Sequence, residues 1–206
     1  FPYFDGKLYD LFATSTGNRF AAKPTTMSSS FRIIHMISTT GSYEMVYDGR
    51  TIYYDSSSTA ATFGLHAPYL LGRDFNPGGD TWEGMIAELM LHSPALTIEQ
   101  RDQTYDYLNA TYGLTASYTS SNDNVNPSSS FSEDLALWLT ADSLVNLATG
   151  SSINIWSSSY GNNHFTGSSA LYKGNQINGR PAVCFSVSSY MTASQRVSFP
   201  VNDPFT

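Results

Sequence analysis

Two pairs of carboxylates lie close together in the chain: Glu44 with Asp48, and Glu83 with Glu88. Such pairs can hydrolyse glycosides, one carboxyl as acid and the other as base or nucleophile, and a retaining enzyme holds them about 5 Å apart. A strand that feeds carboxylates into one cleft carries them at alternate positions, as in E-x-D-x-E, and that pattern does not occur here. Asp48 precedes Gly49 in a turn dipeptide, and Glu83 and Glu88, five apart, face opposite sides of a regular strand. Both pairs read as solvated or turn carboxylates.

Nucleophilic chemistry is equally unsupported. There is no G-x-S-x-G elbow. Cys184 is the only cysteine, so the chain has no internal disulfide and no cysteine-based zinc site. It sits in the strand-like run PAVCFSV with no neighbour to activate it, and a buried structural thiol is expected. His35, His66, His92 and His164 are widely separated, without the H-x-x-x-H spacing of a metal site. No glycine-rich phosphate loop precedes a helix. The expectation is a protein that is not an enzyme.

Binding chemistry is better represented. In GRDFNPGGD, Asp74, Asn76 and Asp80 offer hard oxygen ligands within one loop, which suits calcium, although the spacing is not that of an EF-hand. The plainer alternative is a turn in which Asp and Asn bond the local backbone. For a glycan, the candidates are loop aromatics and amides: Tyr69, Arg73, Asn76, Tyr160, Asn162 and Asn163. Ordinary turn or surface roles compete with this for each of them. Trp82, Trp138 and Trp156 fall in strand-like runs and are expected in the core. Asn109-Ala110-Thr111 is an N-glycosylation sequon, placed late in a helix.

Composition narrows the partners. Charged residues make up 13% of the 206, about half the usual share, so Ser, Thr, Asn and Tyr carry the polarity. Hydroxyls, amides and rings suit sugar surfaces. The net charge is −7 and the only lysines are Lys7, Lys23 and Lys173. A nucleic-acid partner or an anionic membrane surface needs a basic stripe, and there is none. No apolar run is long enough to insert in a membrane. The chain begins at Phe1 without a signal peptide, as a processed product or a piece of something longer would.

The elements follow from pattern. FRIIHMIS is a β-branched and aromatic strand, and Asp48-Gly49 within YEMVYDGRTIYYD predicts a hairpin, since both turn positions favour positive φ. A short strand is expected near Tyr69 to Gly72. WEGMIAELMLHS reads as one buried strand, with Met85, Ala87, Leu89 and Leu91 on one face and Ile86 and Met90 on the other. A single helix follows, over about 98–112. Thr97 and Gln100 form a capping box, Ile98, Tyr105, Leu108 and Tyr112 form its apolar stripe, and Gly113 ends it. Residues 115–131, TASYTSSNDNVNPSSSF, are Ser- and Asn-rich without apolar periodicity and read as a linker. Strand signals resume with LALWLTAD, INIW and GRPAVCFSV.

The segment GMIAELMLHSPALTIEQRDQTYDYLNATYGL resembles the closing part of concanavalin A-like jelly rolls of the laminin-G-like type, a G-x-I-A-E strand leading to a helix that ends in Y-G. LALWLTADSL, INIWSSSYGNNHF and NQINGRPAVCF resemble the opening part of the same family. The resemblance covers roughly 1–114 and 132–206. It implies an all-β jelly-roll β-sandwich, and it favours calcium in rim loops. The closing part precedes the opening part. Residues 1–114 would be the C-terminal portion of one domain and 132–206 the N-terminal portion of the next, or the two would form one permuted domain. Half-domains could also complement one another between molecules, head to tail. The resemblance implies a non-catalytic extracellular or cell-surface adhesion module that binds a glycan or cell-surface ligand. The alternative is a structural subunit of an extracellular filament or virion fibre.

Overall fold

The computed structural model describes residues 9–10, 19–20, 30–39, 41–56, 70–73, 81–115 and 134–194. The described residues form antiparallel sheets with one α-helix, so the protein is all-β. They pack as two units. One comprises Phe1–Leu65, Ser93–Asp134 and Pro200–Thr206, the other His66–His92 and Leu135–Phe199.

In the first unit, β1 (Tyr9–Asp10) pairs with β2 (Arg19–Phe20). Strands β3 (Ile34–Thr39), β4 (Ser42–Tyr47) and β5 (Arg50–Asp55) form a meander in sequence order. The Asp-Gly hairpin forms as expected between β4 and β5, with φ of 47° at Asp48 and 81° at Gly49. The Asp48 carboxylate has a second use. It accepts from the Ile33 N–H at 3.0 Å and from Arg32 Nη1 at 2.9 Å, which ties the turn to the start of β3.

The helix α1 (Ile98–Tyr112) packs on one face of this meander. Tyr105 clusters with Ile33, Ile37 and Val46, supported by Leu108. The capping box is present: Gln100 N–H donates to Thr97 Oγ1 at 3.2 Å, and Thr97 N–H donates to Gln100 Oε1 at 2.9 Å. Gly113 closes the helix in the left-handed region, φ 61°. The apolar stripe is shorter than expected. Tyr105 and Tyr112 are buried, but Ile98 is 66% exposed. Leu96, just before the cap, is buried in its place.

The second unit draws on both sides of residues 115–131. From before them come β6 (Leu70–Leu71), β7 (Gly84–Ile86) and β8 (Glu88–His92). From after them come β9 (Leu135–Thr140), a 3₁₀ turn (Ala141–Ser143), β10 (Ile155–Ser157), β11 (His164–Ser168), β12 (Leu171–Ile177), β13 (Arg180–Phe185) and β14 (Tyr190–Ala193). The sheets run β10-β11-β14-β6, β12-β13-β7 and β8-β9. One core serves all three. Trp156, Phe165, Val183, Phe185, Met191, Leu137 and Leu139 fill it, with Leu71, Trp82, Ile86, Leu89 and Leu91 packed against them. Asn178 and Gly179 turn β12 into β13 with φ of 47° and 77°, a second hairpin of the Asp-Gly kind.

Residues 81–92 are not one strand. The chain leaves the β12-β13-β7 sheet after Ile86 and pairs with β9 from Glu88, while the Ala87 carbonyl accepts from the Ala141 N–H at 2.9 Å. The phase slips by one residue at this break. Ile86 therefore packs on the same core as Leu89 and Leu91, and Met85 is 37% exposed. The expected faces hold for β8 and invert for β7.

Trp138 also differs from expectation. In β9 the leucines Leu135, Leu137 and Leu139 are buried, so the alternate position turns Trp138 to the other face, where it is half-buried. Its indole N–H donates to Glu88 Oε1. Cys184 is half-buried rather than buried, beside Val183 and Phe185 that enter the core. Among the described residues no helix is long and apolar enough to cross a membrane.

Candidate functional site

Three of the sequence-derived candidates lie in one turn. Residues 158–163, Ser-Ser-Tyr-Gly-Asn-Asn, join β10 to β11 beyond the last rung, Ser157 opposite His164. Ser158 anchors the turn to β9. Its Oγ accepts from the Trp138 N–H at 3.0 Å and lies 3.1 Å from the Trp138 carbonyl. The Ser159 N–H donates to the same carbonyl at 2.6 Å. Within the turn, Ser158 Oγ also accepts from the Tyr160 N–H at 3.2 Å, and the Ser158 N–H donates to the Asn163 carbonyl at 2.9 Å. Gly161 takes φ 70° at the tip, with open space where a Cβ would stand.

These bonds fix the backbone while leaving side chains of three kinds at the tip. Asn162 is exposed, and Tyr160 and Asn163 are half-buried. The Asn163 Oδ1 is buried with no hydrogen-bond partner among the described residues. A buried acceptor without a donor costs about 1–3 kcal/mol. The six residues carry no charge, so the turn offers amides, hydroxyls and one ring face.

Arg73 is not brought to this turn. It follows β6, and its guanidinium carbon sits 3.9 Å over the Tyr190 ring, a cation–π pair. Tyr190 lies opposite Ser168, while the turn lies at the His164 end of β11. Four residues of strand, roughly 13 Å, separate those ends. Gly72, which precedes Arg73, sits where a side chain would not fit. A Cβ there would lie 2.5 Å from Phe185 Cδ1 and 2.7 Å from the Ser189 carbonyl oxygen, and its φ is 92°. Tyr69, and the calcium candidates Asp74, Asn76 and Asp80, lie outside the described residues.

Three of the four paired carboxylates, Asp48 in its turn and Glu44 and Glu88, have structural partners. Glu44 accepts from Thr51 Oγ1 and, at 3.2 Å, from Arg101 Nη1 of α1, and Glu88 accepts from the Trp138 indole. Among the described residues no three of His, Cys, Asp and Glu cluster as a metal site would need. Sequence pattern alone does not single out Ser158 and Trp138. The Leu-x-Leu-x-Leu alternation of LALWLT is the available signal for Trp138; for Ser158 the sequence holds none, because its partner lies on a different strand.

No family model, no curated protein and no solved structure matches the chain.

Proposed function

We propose that this chain is a non-catalytic, extracellular or cell-surface binding module for a neutral glycan, built on a concanavalin A-like jelly roll of the laminin-G-like type. The observation that carries the reading is the 158–163 turn. It is uncharged, tied to β9 through Ser158, and holds the Asn163 amide oxygen without a donor among the described residues. A rigid backbone lowers the entropy lost on binding. Tyr160 supplies a ring face, and Asn162 and Asn163 supply the amides that match sugar hydroxyls. The jelly-roll reading is supported by a single core filled from three antiparallel sheets. Calcium held by Asp74, Asn76 and Asp80 belongs to the same proposal, on the strength of their hard oxygen donors.

The test is binding to an array of neutral oligosaccharides, with affinities then measured for the wild type, Tyr160→Ala and Asn163→Ala. Each variant should weaken binding about tenfold, as removal of one hydrogen bond or one stacked ring would, with an unchanged circular dichroism spectrum. Repeating the titration with a chelator tests calcium. Absence of binding at millimolar sugar, or equal binding by the variants, refutes the assignment, and release of free sugar refutes its non-catalytic part.

The strand pairing bears on how the two segments are arranged. Three strand pairs, β6 with β14, β7 with β13 and β8 with β9, join the segment before residues 115–131 to the segment after them. That wiring, made within one chain, supports a single permuted domain over two half-domains that each need a neighbour.

A further inference from the structure

Asn178-Gly179 is the only Asn-Gly step in the chain, and both residues stand exposed at the tip of the β12–β13 hairpin. The residue types make the step reactive. Glycine has no side chain to shield its backbone nitrogen, and a Cβ built at Gly179 would meet nothing within 4 Å. That nitrogen can attack the side-chain amide carbon of the preceding asparagine once the backbone rotates to bring the two together. In the closed turn Asn178 and Gly179 are fixed at φ 47° and 77°. The reaction in the folded protein therefore depends on how firmly the tip is held.

The ladder is weakest close to that tip. Leu171, Tyr172 and Lys173 pair with Cys184, Val183 and Ala182, and then the register shifts. Gly174, Asn175 and Gln176 stand against Pro181 alone before pairing resumes at Ile177 and Arg180. Proline has no N–H to give to a ladder, so the bulge falls opposite it. Asn175 takes φ 55° within the bulge, and Gln176 Nε2 donates to the Gly174 carbonyl at 2.8 Å. One rung is left between bulge and turn, and a tip held by one rung opens at low cost. Side chains add restraint. Ile177 is buried, and Arg180 Nη1 pairs with Asp142 Oδ2 at 2.6 Å, with both partners more than a third exposed.

We propose that Asn178 is a self-modification site of the folded protein, where opening of the β12–β13 tip lets the Gly179 backbone nitrogen attack the Asn178 side-chain amide. A bond forms from Gly179 N to Asn178 Cγ, and the Cγ–Nδ2 bond breaks. The Gly179 amide proton passes through solvent to Nδ2, which leaves as ammonia. Solvent water then opens the cyclic imide at either carbonyl, leaving an aspartyl or isoaspartyl residue in place of Asn178. Nothing is oxidised or reduced. The product adds a negative charge two residues from Arg180, where it competes with Asp142 for the guanidinium. The isoaspartyl form also adds an atom to the main chain of a two-residue turn. The site is independent of glycan binding.

The full-length chain is incubated at mildly alkaline pH, beside a sample kept unfolded in guanidinium chloride. Both are digested at intervals, and conversion of each asparagine to acid is followed by mass spectrometry. In the folded chain Asn178 should convert ahead of Asn162, Asn163 and Asn175, with isoaspartate among the products. Asp142→Asn should speed conversion about two- to fivefold, the restraint that an exposed ion pair supplies. The other asparagines, and the rate in guanidinium chloride, should not change, which separates opening of the tip from global unfolding. Asn178→Gln, whose longer side chain would need a larger ring, should abolish conversion at this position with an unchanged circular dichroism spectrum. An Asn178 that stays intact in the folded chain overturns the proposal, whether or not it converts when unfolded. Equal rates in the wild type and Asp142→Asn overturn the restraint by Arg180.

Discussion

The β3-β4-β5 meander and the strands β6, β7 and β8 are wired in opposite ways. The meander joins neighbours in sequence through tight turns, and each of its two strand connections is two residues long. Strands β6 to β8 find their partners across much longer loops: Met85 pairs with Cys184, and Leu89 with Leu139. A local ladder loses little chain entropy on closing, whereas a distant one gains its hydrogen bonds only after a long loop has closed. The first kind of region is held by its turns and caps. The second is held by the core that both of its chain segments share.

This contrast predicts where damage will spread. The largest effect should come from Trp156→Ala. Trp156 is fully buried in the shared core, and its indole N–H donates to the Thr140 carbonyl at 3.0 Å. Its loss should cost about 3–5 kcal/mol, a large part of the ~5–15 kcal/mol that holds a typical domain. Hydrogen exchange followed by mass spectrometry should show reduced protection in β6, β7 and β8 together with β9 to β14, while α1 and β3 to β5 keep theirs. Protection retained in β6 to β8 would show that they do not depend on that core.

Thr97→Ala should act in the opposite place and more weakly. Removing the cap hydroxyl frees the Gln100 N–H and should cost about 0.5–2 kcal/mol. Exchange should quicken in α1 and leave β9 to β14 unchanged. An equal loss in the second unit would break the distinction.

The smallest effect concerns pH. Burial raises the Tyr47 phenol above its usual value, opposed by the Arg32 guanidinium and assisted by Asp48. The folded state then holds its proton more tightly than the unfolded state. Stability from this group is fully present below the unfolded pKa, near 10, and is lost as pH rises through the raised folded value. Tyr47→Phe should leave stability near neutral pH almost unchanged and flatten the decline above pH ~10 in a urea-unfolding series. An identical alkaline decline in both proteins would rule Tyr47 out as its source.

The same contrast explains what could be read from sequence. The Asp48-Gly49 hairpin, the Thr97 to Gly113 helix and the short strand at Leu70–Leu71 were legible because each depends on a few adjacent residues. The break at Ala87 was not, because it arises where the chain changes partner from β13 to β9, a fact held by residues about 50 to 100 positions away. Ile98 satisfied the helical spacing, but spacing alone does not say which turns of the helix find a partner. At the candidate site, the composition of 158–163 was visible, and so were Tyr160, Asn162 and Asn163. The Ser158 anchor on Trp138 and the separation of Arg73 from the turn both follow from strand order, which no local pattern encodes.

The most direct measurement places a protease site within residues 118–129 of the full-length chain, cuts it, and follows the nicked protein by native size-exclusion with mass detection. If the strands before and after that stretch form one unit, the two pieces should elute together with the mass of the intact chain and separate only in denaturant. Pieces that part under native conditions would contradict the shared core and the strand pairs that build it.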